Sequence, residues 1–346
     1  MVKFLLSYLI IVWFITSCNP LSSTDKGIIL YVQEEQIWAL DVTANQTRQL
    51  TFDEGGNSRV FTPKWSSDGQ TFAYKRFSNL WLSDRSGENH REIVEGISRF
   101  WWVNTNSLRY CQSENINISC FLYDTTSNKI TALKQNSKWW IFAYSPDLQR
   151  AFVQEYKLRD EKIHPQNEQY LLDLGTGEKV FKHKIGDEFW TEDPQWAPDG
   201  KKVAFTANLS DDTTNGEIFV IDARGENLVR LTNFSDERET SIYPALLQWS
   251  PDGEWLAFVV TSRTSNDLVV MKADGSHFKR LNIEWVTLGQ SNLPPIWSPD
   301  SKEIAFVANQ IGQEQGEWGI YKVDIETGNI SHLLEVSDPR VWFDWR

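Results

Sequence analysis

Two kinds of chemistry are open to the side chains of this 346-residue chain, and both depend on carboxylates set beside aromatic and basic residues. The groupings are Asp53, Glu54 and Arg59; Trp139 and Trp140; Asp187, Glu188, Phe189, Trp190, Glu192 and Asp193; Asp236, Glu237, Arg238 and Glu239; and Glu284 with Trp285. Such groupings suit the gripping of a protein or peptide, because exposed aromatic and arginine side chains are the types that anchor interfaces. They also suit a sugar, with cleavage where two carboxyls stand about 5–10 Å apart. Glu192 and Glu239 are the pair that could face each other across a central opening.

Other chemistries find less support. There is no Gly-x-Ser-x-Gly elbow and no His-Glu-x-x-His pair. The five histidines, His90, His164, His183, His277 and His332, are scattered along the chain, so a metal site built from clustered imidazoles is not expected. Asp211-Asp212-Thr213-Thr214-Asn215-Gly216 places oxygens at alternate positions with a glycine sixth. A calcium loop wants more carboxylates and a closing glutamate, whereas Asn-Gly between two apolar runs is an ordinary hairpin turn. No cofactor is expected, and the five Asp residues of the repeated turn described next read as turn caps rather than catalysts.

That repeat must position everything else. It occurs as Pro63-Lys64-Trp65-Ser66-Ser67-Asp68-Gly69, Pro194-Gln195-Trp196-Ala197-Pro198-Asp199-Gly200, Trp249-Ser250-Pro251-Asp252-Gly253 and Pro295-Ile296-Trp297-Ser298-Pro299-Asp300, with a worn copy at Tyr144-Ser145-Pro146-Asp147. Proline pre-sets φ, serine or aspartate caps the turn and glycine closes it. Each copy leads into a short alternating run: Phe72-Ala73-Tyr74, Val203-Ala204-Phe205, Leu256-Ala257-Phe258 and Ile304-Ala305-Phe306. A second half follows, an apolar run ending in Asp, a turn, and a short strand ending near Leu, as in Ile37 to Leu50 and Ile218 to Leu231. Four antiparallel strands repeated roughly every 50 residues are the content of a propeller blade.

The second half occurs seven times, and a hidden blade without the turn signature starts at Phe100-Trp101-Trp102-Val103. The chain opens at Gly27-Ile28-Ile29-Leu30 without a preceding Trp strand and closes with Val341-Trp342-Phe343-Asp344-Trp345, which resembles the missing one. The expectation is therefore an all-β propeller of seven four-stranded blades over residues 27–346, its ring closed by the C-terminal strand, with six blades as the alternative. Closure removes the sheet edges that invite aggregation, so a monomer is the default. The tryptophans of the turn motif, Trp65, Trp196, Trp249 and Trp297, read as blade-to-blade packing.

The repeat resembles that of TolB-type propellers, five copies in register over roughly residues 27–345. The resemblance implies protein–protein contacts in a bacterial cell envelope. In a propeller, the connections from one blade's outer strand to the next blade's inner strand gather at one mouth of the channel. Here those are 52–62, 134–143, 184–195, 232–247, 282–295 and 335–341, the segments that carry Asp53, Glu54, Arg59, Trp139, Trp140, Trp190, Glu192, Asp193, Arg238, Glu239 and Trp285.

The N-terminus reads as an address. Lys3, an apolar stretch from Phe4 to Ile15 and Thr16-Ser17-Cys18 are too short for a membrane span and fit a signal peptide over 1–17. Ile15-Thr16-Ser17-Cys18 resembles a bacterial lipobox, which implies lipidation at Cys18, a tether over 18–26, and, with Asn19 next, the outer membrane in a Gram-negative envelope. An exported chain permits a disulfide. If Asn115-Ile116 is a two-residue turn, Cys111 and Cys120 are directly opposed, as a cross-strand bridge or as two buried thiols, and the bridge is the favoured reading. The formal net charge of −13 repels phosphate backbones and anionic headgroups, so no nucleic acid and no membrane contact beyond the lipid is expected. The overall expectation is a non-enzymatic, lipid-anchored envelope protein that binds a protein or peptide at an acidic, aromatic mouth. The alternative is a carbohydrate-binding or carbohydrate-cleaving propeller.

Overall fold

The structure, a computed structural model, describes residues 27–52, 60–114, 117–133, 139–159, 162–184, 194–208, 215–234, 242–262, 266–281, 283, 293–309, 318–338 and 340–346. Seven antiparallel sheets of four strands make up a propeller. Blade 1 contains β1 (Ile28–Gln33), β2 (Gln36–Asp41) and β3 (Gln46–Gln49). Blade 2 is β4 (Val60–Trp65), β5 (Thr71–Arg76), β6 (Asn79–Asp84) and β7 (Arg91–Val94); blade 3 is β8 (Ile97–Asn104), β9 (Ser107–Glu114), β10 (Asn117–Asp124) and β11 (Lys129–Ala132). Blade 4 is β12 (Trp139–Tyr144), β13 (Arg150–Arg159), β14 (Lys162–Asp173) and β15 (Lys179–Lys184). Blade 5 is β16 (Gln195–Trp196), β17 (Lys202–Asn208), β18 (Gly216–Asp222) and β19 (Val229–Arg230). Blade 6 is β20 (Tyr243–Trp249), β21 (Trp255–Thr261), β22 (Asn266–Lys272) and β23 (Lys279–Arg280). Blade 7 is β24 (Ile296–Trp297), β25 (Glu303–Asn309), β26 (Trp318–Asp324) and β27 (Ile330–Val336). The last strand, β28 (Phe343–Trp345), pairs with β1 as the inner strand of blade 1, Ile29 opposite Trp345 and Tyr31 opposite Phe343. Seven blades, closed by the C-terminal strand, are what the repeat predicts.

The first hairpin of each blade is built by its turn chemistry. Ser66 Oγ donates to Asp68 Oδ1 at 2.6 Å and Ser298 Oγ to Asp300 Oδ1 at 2.6 Å. Each Asp carboxylate also accepts the backbone N–H two residues on, from Gln70, Gln149, Lys201, Glu254 and Lys302. Gly69, Gly200 and Gly253 take the left-handed φ that closes the turn, and in the two copies without glycine Leu148 (φ 59°) and Ser301 (φ 60°) adopt it instead. Those copies carry a backbone cost that the surrounding hydrogen bonds offset.

Four pairs of neighbouring blades lock through an indole near the end of an inner strand. Trp65 Nε1 donates to Ile28 O (3.1 Å), Trp102 Nε1 to Lys64 O (2.9 Å), Trp249 Nε1 to Gln195 O (2.9 Å) and Trp297 Nε1 to Gln248 O (3.4 Å). Trp102 thus supplies to blade 3 the contact that the motif tryptophans supply elsewhere, although its turn, capped by Asn104 Oδ1 on Asn106 N–H, has lost the Ser-Pro-Asp signature. The alanine of the following strand leaves room for the indole: Ala204 packs in one core with Trp249, Ala257 with Trp297 and Ala305 with Trp345. Ring closure is reinforced across the seam, where Asp344 Oδ2 accepts Trp65 N–H at 2.7 Å and pairs with Lys64 Nζ at 3.6 Å.

Two local differences from the sequence reading have simple causes. Trp139 and Trp140, expected on a connection, are the first residues of β12, because the ten-residue β13 extends far enough to pair with them through Glu155 and Gln154. The inner strand of blade 3 begins at Ile97, ahead of Phe100, since Gly96 ends the preceding turn. Cys111 and Cys120 lie directly opposite each other on β9 and β10 and form a disulfide.

Candidate functional site

The antiparallel order of each blade puts two sets of connections at one end of the ring: those from the second strand to the third, and those from the outer strand to the next inner strand. The residues that flank them form a rigid rim. Ile37 N–H donates to Thr51 Oγ1 (2.9 Å), which donates to Gln36 Oε1 (2.8 Å). Blade 5 repeats this with charge: Ile218 N–H donates to Thr232 Oγ1 (2.9 Å), Thr232 Oγ1 donates to Glu217, and Arg230 Nη2 reaches Glu217 Oε1 at 2.7 Å. Ile242 N–H donates to Asn215 Oδ1 at 2.8 Å, tying the end of the β19–β20 connection to the end of the β17–β18 connection. Rigid roots under variable connections are the usual way a scaffold positions a binding surface.

Asp53, Glu54, Arg59, Trp190, Glu192, Asp193, Arg238, Glu239, Trp285 and Cys18 lie outside the described residues, as does most of the Asp211–Asn215 stretch. Trp139 and Trp140 are the first two residues of β12. The flanks bring Phe52, 73 % exposed, and Phe61 to the same end. Among the described residues four inner strands shift register toward that end, between Phe61 and Lys64, Ile97 and Arg99, Ile141 and Ala143, and Ala245 and Gln248, and in two of them Thr62 (φ 52°) and Leu246 (φ 58°) are held in the left-handed region. Bulges re-aim side chains and concentrate at rims and sites, and a β-branched residue at such a φ is strained.

The sequence reading missed one group. Arg109 on β9 is 8 % exposed and pairs directly with Trp101 of β8, so the two side chains share a face. The guanidinium carbon lies 5.0 Å from the ring centres of both Trp101 and Tyr144, the residue that replaces the motif Trp in blade 4. Nη2 donates to Ile141 O at 3.4 Å and approaches Cys120 Sγ at 3.7 Å, while Nε has no hydrogen-bond partner. Burial pushes this arginine below its ordinary pKa, and pushes the Tyr144 phenol up. The signal was present in the repeat: Leu108-Arg109-Tyr110 aligns with Phe72-Ala73-Tyr74 and puts arginine where alanine recurs.

The opposite end of the ring carries a cavity of about 700 Å³ between the turns of blades 4 to 6, lined by Asp147, Arg150, Asp199, Lys201, Asp222 and Asp274 among others. Its carboxylates are already committed to turns. Burial raises the Asp147 carboxyl, but hydrogen bonds from Ser145 and Gln149 outweigh it and leave the group below its ordinary range. Asp274 is held down by the Ser276 hydroxyl and backbone N–H. Carboxyls so stabilised as anions are poor general acids near neutral pH. Among the described residues no three His, Cys, Asp or Glu side chains converge as a metal site, and no helix is long and apolar enough to cross a membrane.

Residues 126–333 match the family model described as the TolB beta propeller domain. Among solved structures, the chain is similar to the beta-propeller domain of the Trilobed protease from Pyrococcus furiosus (11% identity, TM-score 0.62, 90% of this chain and 94% of that one). It is also similar to an oligogalacturonate lyase from Vibrio parahaemolyticus (14% identity, TM-score 0.59, 90% and 86%). TolB from Acinetobacter baumannii matches at 18% identity and TM-score 0.45 over 74% of this chain and 63% of that one.

Proposed function

Because the chain belongs to the TolB beta propeller domain family, we propose that it is a non-enzymatic envelope protein that binds a protein or peptide at the mouth of its channel. The observation that carries this reading is the closed seven-blade ring, whose outer-to-inner connections leave from one hydrogen-bonded rim. Those connections hold Trp190, Glu192, Arg238, Glu239 and Trp285, the aromatic, arginine and acidic types that suit an interface. Lipid attached at Cys18 anchors the propeller to the membrane through the 18–26 tether, on the periplasmic side of an outer membrane in a Gram-negative envelope. The ring leaves only short outer strand edges, so the protein works as a monomer.

A crosslinking pull-down from envelope extract tests the binding reading. One bait is the full chain and a parallel bait carries Trp190→Ala, Glu192→Lys and Trp285→Ala. A protein held by the first and lost with the second supports a mouth interface. Equal capture moves the contact to the blade sides, and no capture with release of reducing sugar from glycans replaces this reading with the carbohydrate-active one. Incorporation of labelled palmitate, abolished by Cys18→Ser, tests the anchor.

A further inference from the structure

The geometry points to a carboxylate-binding site at Arg109, between blades 3 and 4 beside the exposed Trp101. In the other six blades the equivalent residue is Leu30, Ala73, Phe152, Ala204, Ala257 or Ala305, each fully buried. In each of those six blades an apolar side chain fills the slot beside a Trp of the next blade, whereas Arg109 faces Tyr144. Placing a guanidinium there costs desolvation that packing does not repay.

What surrounds the charge compensates it only in part. The faces of Trp101 and Tyr144 offer cation–π attraction, but they accept no in-plane hydrogen bond. Ile141 O takes one N–H, Nε takes none, and among the described residues no carboxylate pairs with Arg109. Other half-buried or buried cations of this chain do have such partners: Arg230 with Glu217 at 2.7 Å, Lys322 with Glu303 at 2.7 Å and Arg280 with Asp267 at 2.9 Å. The chain carries 47 Asp and Glu against 34 Lys and Arg, yet among the described residues the guanidinium of Arg109, 8 % exposed, has no carboxylate beside it. A guanidinium set 5.0 Å from two ring centres carries a planar fork of donors whose geometry matches a bidentate carboxylate. Entry is on the side of Trp101, which is 42 % exposed and lies beside Arg109 on the sheet. The carboxylate comes either from a free small acid in the channel or from an acidic side chain of a bound peptide; in the second case the inference names one contact of the interface proposed above.

The test is a calorimetric titration of the full chain and its variants, paired in wild type and Trp101→Ala with the Arg109 Nε–H resonance of protein labelled at arginine Nε, which is assigned by its loss in Arg109→Lys. The probes are glutarate and acetyl-Gly-Glu-Gly-amide, with glutaramide and acetyl-Gly-Gln-Gly-amide as neutral counterparts. The expected result is a saturable shift with at least one acid below about 10 mM and none with the amides, weakened tenfold or more in Arg109→Met and severalfold in Trp101→Ala. Tighter binding of the tripeptide assigns the carboxylate to a partner's side chain, and tighter binding of glutarate to a free acid. No saturable shift from either acid overturns the site, as does unchanged affinity in Arg109→Met; if that variant does not fold, unchanged affinity in folded Arg109→Lys has the same force. Acid binding without any protein capture leaves this site standing and removes the partner reading. Capture without acid binding does the reverse.

Discussion

A single indole at the end of an inner strand performs two tasks, filling the gap between blades and donating to the previous blade's backbone. Trp249 does both, and its loss leaves Gln195 O without its donor. Trp196 fills its gap, but its buried Nε1 has no partner. Trp249→Phe should therefore destabilise the fold by about 1–3 kcal/mol, and Trp196→Phe by about 1 kcal/mol less, read as the difference in denaturant midpoints. Protonation gives a second handle. Burial raises the Asp84 carboxyl, yet hydrogen bonds from Asn89, Ser86 and the Glu88 N–H outweigh it and lower the group from 3.8 to about 2. A depressed folded-state pKa means the contribution is present above the unfolded value and disappears as pH falls through the folded one. Asp84→Asn should accordingly lower stability at pH 7 and flatten its further loss between pH 4 and 2, the two proteins converging near pH 2, as followed by acid-unfolding circular dichroism. Single residues were also where the sequence was hardest to read. Trp65, Trp249 and Trp297 announce themselves through a fixed distance to a turn, whereas Arg109 sits in an alternating strand whose period gives no sign that its neighbour is a ring rather than water.

At the scale of elements, turn chemistry made most hairpins legible and its absence hid others. Blade 3 keeps the Trp102 contact and loses the Ser-Pro-Asp turn, so its inner strand had to be recognised from three aromatics alone. Trp139 and Trp140 were placed on a connection because nothing in their own composition reveals how far β13 extends to pair with them. The rim was not legible at all, since the Thr51 and Thr232 bonds join residues 14 apart that share only a Leu-Thr dipeptide. Blade 3 instead carries the staple between β9 and β10. Replacing both Cys111 and Cys120 with alanine should cost about 2.5 kcal/mol by the loop-entropy estimate for a loop of this size. The cost should vanish when wild type is compared under full reduction, which a pair of denaturant titrations would reveal.

For the whole molecule, the repeat count and the unpaired opening strand sufficed to foretell a ring closed by its last strand. The identity of what enters the ring was not legible, because the mouth is written in segments that do not repeat. Closure should govern association: Trp345→Asp places an unpaired charge in a fully enclosed slot and opens the seam between β28 and β1. Such a variant should form concentration-dependent aggregates in light scattering while wild type stays monodisperse. The seam also sets a clock. β1 is among the first strands to leave the ribosome, and the strand that covers its edge is not made until residues 343–345 are. At about 5–20 residues per second, synthesis alone leaves that edge bare for some tens of seconds. The interval belongs to the topology, and no faster local folding can shorten it: for that long the chain must be held or carried open.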